Sequence, residues 1–444
     1  MTTIATSNPT PTPLQPHYLT DLHHYLTTSP TPYHAITSAT ALLAAAGFEG
    51  LTFPTPFTLR PGGKYYLTPY DTMLFAFTVG TADLAAQSFH IAAAHTDYPC
   101  LHIKPAPELA ANGYLRLNTE VYGSPILNTW LDRPLSLAGR VALRSEKTYE
   151  PELRLYDAGR PLLTVPNLAI HMNRKVNEGI ELKKQSDLLP LFGLKAKEGE
   201  EADAQYFLEF LAKELSCAKE DILDFDLYVY NTEEGSRIGV NGEFFSAPRL
   251  DNQTSCYALL RAIADGGRED GINVIALYDN EEVGSRTKQG ADSMLLMLLL
   301  EKIYAALGMD KSALNDAVLR SFLFSVDVAH ALHPAHPEKY DPVNRALMND
   351  GVVLKLSINQ RYTYDGEAVA AAQQLCEKAG VKFKKFVNHA DMAGGGTLGP
   401  IISSWLPMKT VDIGVPILAM HSARELMGVE DEEHLIRMMT AFFS

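Results

Sequence analysis

Four separate apolar stretches in this 444-residue chain each run into side chains that bind metals or move protons. Residues 89–97 (FHIAAAHTD) end on His95 and Asp97, and residues 272–282 (INVIALYDNEE) end on Glu281 and Glu282. Residues 322–327 (FLFSVD) end on Asp327, and residues 411–421 (VDIGVPILAMH) end on His421. Apolar runs of this length, without polar alternation, are read as strands covered on both faces, as in a mostly parallel sheet held between helix layers. In such sheets functional groups gather at the carboxyl ends of the strands. Another carboxylate, Asp251, lies in the polar turn RLDN just before the helix-like run SCYALLRAIA and joins the same set.

The residue types define the chemistry. Two histidines with three or more carboxylates combine borderline nitrogen with hard oxygen donors, which suits zinc, cobalt or manganese and disfavours copper(I) or iron-sulfur clusters. The ligands outnumber what one ion can use, which points to a pair of ions sharing a bridging carboxylate and a bridging water. Neighbouring residues leaving a strand point to opposite sides, so the pair Glu281 and Glu282 divides naturally into one metal ligand and one proton acceptor. Ligating imidazoles usually donate their second N–H to an oxygen, and the spacing His-Thr-Asp places Asp97 to accept it from His95. Any one of these residues alone is as well explained by a strand end, a helix start or a satisfied core histidine. Their joint occurrence at four strand ends is what carries the reading.

The stretches SPTPYHA, AAAHTD, TEVYGSPILNTWLDRPL, SAPRLDN, YDNEEVGS, SVDVAHALHP, LKLSINQRYTYD, GGGTLGPI and LAMHSARE, in this order, resemble those of the aspartyl aminopeptidase family from about Tyr18 to the C-terminus. Members are di-zinc exopeptidases that assemble as tetrahedral dodecamers. The resemblance implies that Asp251 bridges two ions, that His95 and Asp327 complete one and Glu282 and His421 the other, and that Glu281 is the general base. It also implies that His171, in PNLAIHM, reaches a neighbouring subunit's active site, that His330 stabilises the oxyanion near the substrate carbonyl, and that Lys355 lies at the substrate pocket. The Asp251–Asn252 peptide is expected to be cis, as in related metallopeptidases. The chain departs from the family at Asn388-His389-Ala390-Asp391, where an Arg is common. The run AGGGTLGP lacks the Lys-Ser/Thr of a phosphate loop and reads as a tight turn.

The expected function is removal of the N-terminal residue of peptides, with preference for Asp or Glu, by a homo-oligomer, expected to be a dodecamer. The alternatives are a broad aminopeptidase, a hydrolase of another small amide, or a non-catalytic scaffold relative, which missing ligands would have favoured. A net charge of −15 argues against a nucleic-acid partner. The four cysteines, Cys100, Cys217, Cys256 and Cys376, are scattered and read as free thiols of a reducing compartment. The longest apolar run, MLLMLLL from Met294, is far short of the roughly 20 residues that span a bilayer. A cytoplasmic location is therefore expected.

The fold class is expected to be α/β, a layered α/β/α catalytic domain with a mixed, mostly parallel sheet, in two parts, residues 18–99 and 244–444. Between them, short alternating segments such as YLRLNTEVYG and PELRLYD predict an inserted β-rich oligomerisation or lid domain over residues 100–243. Residues 1–17, rich in Thr and Pro, read as a disordered tail. The charged stretch EGIELKKQSDLLPLFGLKAKEGEEADA reads as a mobile loop before the helix QYFLEFLAKELS.

Overall fold

The computed structural model describes residues 17–82, 88–179, 181–194 and 205–444. Four of the expected buried strands form the centre of a nine-stranded sheet: Ile272–Tyr278, Phe89–His95, Phe322–Val326 and Lys409–Gly414, in that order and mutually parallel. Tyr278 pairs with His95, and Val326 with Ile413, so the carboxyl ends lie along one edge. Antiparallel neighbours, Leu74–Val79 on one side and Val352–Leu356 on the other, make the sheet mixed.

Strand alternation sends successive side chains to opposite faces, and each face has its own helix layer. Ala92, Ala94, Ile275, Leu277, Phe324 and Val326 pack beneath helices that include Leu250–Asp265, Gly366–Ala379 and Asp431–Phe442. Phe89, Ile91, Ala93, Val274, Ala276 and Leu323 face Leu295–Ala306, Lys311–Arg320 and Leu398–Trp405. The α/β/α layering expected from unbroken apolar runs is what the chain adopts. The run from Met294 buries Leu296, Leu299 and Leu300 and leaves Met294 and Leu298 exposed, so it is a one-sided helix, not a fully buried one.

The run at 411–421 differs from expectation. It is two strands, Lys409–Gly414 in the central sheet and Pro416–Leu418 in a separate five-stranded sheet beside Glu425–Gly428 and Ala329–His330. Both segments are buried, so an unbroken apolar run does not betray the change of sheet at Val415.

Strands between Cys100 and Asn231, with Leu191–Leu194, form a third, six-stranded sheet that is antiparallel throughout. It packs Trp130, Leu137 and Val229 against Phe207 and Leu211 of the helix Tyr206–Leu215. The charged stretch expected as a loop is partly regular, because Lys184–Asp187 is helical and Leu191–Leu194 pairs with Tyr114–Tyr122. Its apolar residues LLPLF supply the buried contacts that a wholly charged segment would lack. The rest of that expectation, residues 195–204, and the tail over residues 1–16 lie outside the described residues. Among the described residues no helix is long and apolar enough to cross a membrane. Cys100, Cys217, Cys256 and Cys376 are free thiols.

Candidate metal centre

The carboxyl edge of the central sheet opens into a cleft of ≈ 530 Å³ whose lining includes His95, Asp251, Glu281, Glu282, Asp327 and His421. Each arrives by a different local route. His95 is the last residue of its strand, and Asp327 directly follows Phe322–Val326. Glu281 and Glu282 sit in a single turn after Asn280, whose φ of 62° reverses the chain. They are not on opposite faces of a continuing strand, as alternation predicted: the turn brings both carboxylates into the cleft, aimed at different imidazoles. Asp251 stands at the head of Leu250–Asp265, and its peptide bond to Asn252 is cis, as expected.

Distances divide these groups into two clusters that share Asp251, with His95, Glu281 and Glu282 forming a third overlapping group. His95 Nε2 lies 3.5 Å from Asp251 Oδ1 and 3.6 Å from Asp327 Oδ1. His421 Nε2 lies 3.4 Å from Asp251 Oδ2 and 3.4 Å from Glu282 Oε1. These separations are longer than good hydrogen bonds. Two donors on one tetrahedral zinc, with bonds of about 2.0–2.1 Å, lie about 3.3–3.4 Å apart. Asp251 Oδ1 and Glu282 Oε1 are buried without any hydrogen-bond donor, which costs free energy unless a cation satisfies them. Both observations fit two divalent ions, with Asp251 offering one oxygen to each cluster.

The imidazoles are oriented for this. His95 Nδ1 stands 3.1 Å from the carbonyl of Asp97, and His421 Nδ1 stands 3.1 Å from that of Ser124. Donation to those carbonyls places the proton on Nδ1 and leaves Nε2 free to bind. The acceptor expected for His95 was the Asp97 carboxylate, but the backbone oxygen is nearer, the carboxylate being at 3.4 Å. That carboxylate instead accepts the backbone N–H of Glu281 and of Glu282, each at 3.1 Å, and the Tyr122 hydroxyl at 2.7 Å. Asp97 therefore holds the turn that presents both glutamates.

Burial opposes charge on every one of these groups, so their neighbours decide. Burial would lower His421, yet Asp251 and Glu282 hold it up to about 10, and carboxylates likewise hold His95 above its ordinary range. Burial, opposed by His95 and reinforced by Asp327, pushes Glu281 up to about 8. Burial alone would raise Asp251, but the His421 and His95 imidazoles beside it outweigh that and hold it below the usual carboxylate range. Metal-free protein at pH 7 thus carries protons on imidazoles that must be neutral to bind an ion. Metal uptake is expected to release on the order of three protons per chain near pH 7, from the two imidazoles and from Glu282, which burial and Asp251 hold above its ordinary range, and fewer as pH rises through about 10. Calorimetric titration in buffers of different ionisation enthalpy measures that number.

Three further predicted residues were placed by the resemblance alone. His330 lines the cleft, its pKa lowered by burial and by Lys355. Lys355 also lines it, but on a buried strand and not on a solvated face, and its Nζ donates to Asp327 Oδ2 at 3.1 Å, Asp327 O at 3.3 Å and Val328 O at 3.0 Å. Those bonds fix the Asp327 carboxylate and leave no ammonium hydrogen for another partner. His171 is exposed and does not line the cleft of its own chain. The glycine turn contributes Gly395 and Gly396 to the cleft wall.

Two supporting residues escaped the sequence reading. Tyr122 couples Asp97 to Asn280, whose Nδ2 donates to its hydroxyl at 3.0 Å. Glu425 accepts the N–H of Asp251 and of His421. The available signal for Glu425 was an acidic residue opening the otherwise apolar strand Glu425–Gly428.

Comparison with known proteins agrees with this geometry. Residues 25–443 match the family model described as aminopeptidase I zinc metalloprotease (M18). The chain is 44% identical over 428 residues to a probable M18 family aminopeptidase 2 of Clostridium novyi (strain NT), covering 96% of this chain and 98% of that one. Among solved structures it resembles Ape4 in complex with Nbr1, with a TM-score of 0.91 and 33% identity over 96% of this chain and 85% of that one. The S. cerevisiae mApe1 dodecamer gives a TM-score of 0.83 at 26% identity, covering 96% of each chain.

Proposed function

We infer the details of the reaction from the premise that this chain belongs to the aminopeptidase I zinc metalloprotease (M18) family and is a metal-dependent aminopeptidase with two divalent-ion sites. Asp251 would be shared by the two ions, His95 and Asp327 would hold one with it, and Glu282 and His421 would hold the other. The observation that carries this assignment is the pair of donor clusters sharing Asp251, with imidazole-to-carboxylate spacings of 3.4 to 3.6 Å. Zinc is the ion in the family's description, and cobalt or manganese suits the same donors.

When bound, two such ions polarise the scissile carbonyl and lower the pKa of a water toward 7. Glu281, 4.0 Å from His95 Nε2 and outside the two donor groups that contain Asp251, takes the proton of the attacking water and returns it to the leaving amine. His330, on the cleft wall, donates an N–H to the developing oxyanion. Asp97 and Lys355 act on the reaction through the groups they hold, Asp97 through the Glu281–Glu282 backbone and Lys355 through Asp327.

The substrate class is peptides with a free N-terminus, with preference for Asp or Glu as in the aspartyl aminopeptidases. Support for the preference is Lys355, the single Lys or Arg among the described residues that line the cleft. A broader selectivity is favoured by a different observation, the occupation of all three Lys355 donors by Asp327 and Val328. Rates on Asp, Glu, Leu and Lys aminoacyl substrates, with N-acylated controls, separate the two. If Lys355 reads an acidic side chain, Lys355→Met lowers kcat/KM for Asp and Glu substrates at least about tenfold more than for Leu, one ion-pair hydrogen bond being about 1.5–3 kcal/mol. Equal loss on all substrates leaves it only the support of Asp327. Cleavage of N-acylated substrates would overturn the aminopeptidase reading.

The assembly is proposed to be a homododecamer like that of mApe1, with His171 completing a neighbour's cleft. Its loop exposes Leu168, Ile170 and Met172, an apolar surface suited to burial against another copy. We divide the chain into a catalytic domain of residues 18–99 and 244–444 and an inserted β-rich domain of residues 100–243 that serves in assembly or as a lid. In favour, the six-stranded sheet is built wholly from strands of the insert. A cytoplasmic location is supported by four free thiols, three of them buried.

A further inference from the structure

Glu425 is 3% exposed, and both of its carboxylate oxygens are committed to backbone amides of metal-ligand residues. Oε2 accepts the N–H of Asp251 at 3.0 Å, and Oε1 accepts the N–H of His421 at 2.8 Å. The strand it opens lies between the two segments that deliver those ligands. On one side Glu425 pairs with Ala247, at the end of Phe244–Ala247, which leads into Asp251. On the other, Leu426 pairs with Leu418, at the end of Pro416–Leu418, which leads into His421.

The held backbone is one that would not hold itself. His421 has φ 67°, a left-handed conformation that a non-glycine residue keeps only when its surroundings fix it. The bond from Glu425 fixes that backbone, and the Ser124 carbonyl then orients the ring. The other cluster is held differently. Asp327 is fixed by Lys355, and the His95 backbone by its pairing with Tyr278 and by the Cys256 thiol, which donates to the His95 carbonyl at 3.0 Å. Neither His95 nor Asp327 hydrogen-bonds to Glu425.

We propose that Glu425 is the positioning residue for the Asp251–Glu282–His421 ion, so that the two ions of this enzyme differ in what secures them and can be lost one at a time. The inference rests on the assignment of those three residues to one ion. A carboxylate can accept both amides, whereas a glutamine at the same place offers one oxygen and turns an NH₂ against the second N–H. A supporting hydrogen bond to a metal ligand typically governs metal affinity by 10–100-fold.

The test is metal counting and titration on the full chain. Metal-free wild type and Glu425→Gln are titrated with zinc, and bound ions are counted by mass spectrometry. Wild type is expected to hold two ions per chain, and the variant one at zinc concentrations that fill both sites of wild type, its second ion binding about 10–100-fold more weakly. Excess zinc should restore the lost kcat with KM unchanged, and the metal-free forms should melt together. Glu425→Asp, too short to reach both amides, should shift the second ion in the same direction and keeps the test available if the glutamine variant does not fold. Two ions held with wild-type affinity by both variants would overturn the proposal. So would a lowered melting temperature of the metal-free form with a kcat that zinc does not restore, which marks a purely structural role. His421→Ala separates this from the underlying assignment. If it keeps two ions, the ligand assignment fails, and if it loses one while both Glu425 variants keep two, only the role of Glu425 fails.

Discussion

Glu281→Gln is expected to bind two ions as wild type does and to lose kcat by about 10²–10⁴, the scale of a positioned general base. That loss is about 3–5 kcal/mol of transition-state stabilisation. It separates the two adjacent glutamates, because Glu282 stands 3.4 Å from His421 Nε2 in a donor group with Asp251, while Glu281 belongs to neither group that contains Asp251. A carboxamide of the same shape still lines the cleft but cannot take a proton. Metal analysis with steady-state kinetics checks both halves, and near-normal turnover with full metal would remove Glu281 from the role of base. Glu282→Gln should fail differently, by losing an ion.

Asp251→Ala should remove both ions, because one side chain contributes an oxygen to each cluster. Without ions a water in the cleft would lose the acidity that divalent cations supply, so peptide hydrolysis should fall by more than about 10⁴. Wild type treated with a chelator should reach the same floor and recover with added zinc. Melting temperature gives a second readout. An ion present at 100 times its Kd stabilises the folded state by about 2.7 kcal/mol, so a chelator should lower the melting temperature of wild type and leave that of Asp251→Ala unchanged. If Asp251→Ala kept one tightly bound ion, the bridge would be wrong and the clusters would be independent.

The residues of the centre were more legible in the sequence than the bonds that hold them. His95, Glu281, Glu282, Asp327 and His421 stood out because each ends an apolar run that only a doubly covered strand explains, and all of them line the cleft. Asp251 showed in the residues themselves only as a polar turn before a helix, and its sharing between two ions came from the resemblance. The same apolar signal misread residues 411–421 as one strand, since burial on both faces is equally satisfied in the central sheet and in the five-stranded one. The task of the Asp97 carboxylate, the burial of Lys355 and the whole part played by Glu425 were not readable. Each depends on a partner far along the chain: Asp97 binds the backbone of Glu281 and Glu282, Lys355 binds Asp327, and Glu425 binds the amide of Asp251.

Hydrophobic periodicity and residue chemistry, both properties of the linear chain, determined that a layered α/β sheet would present nitrogen and oxygen donors along its carboxyl edge in numbers suited to two ions. They do so because a run's pattern reports how many of its faces are covered, and donor type reports which cations it suits. Which imidazole nitrogen is left free and which buried acid bonds the backbone of Asp251 and of His421 were decided only by the tertiary structure. Hydrogen bonds and metal-ligand spacing are set by distances of a few ångströms between elements whose order along the chain does not encode them.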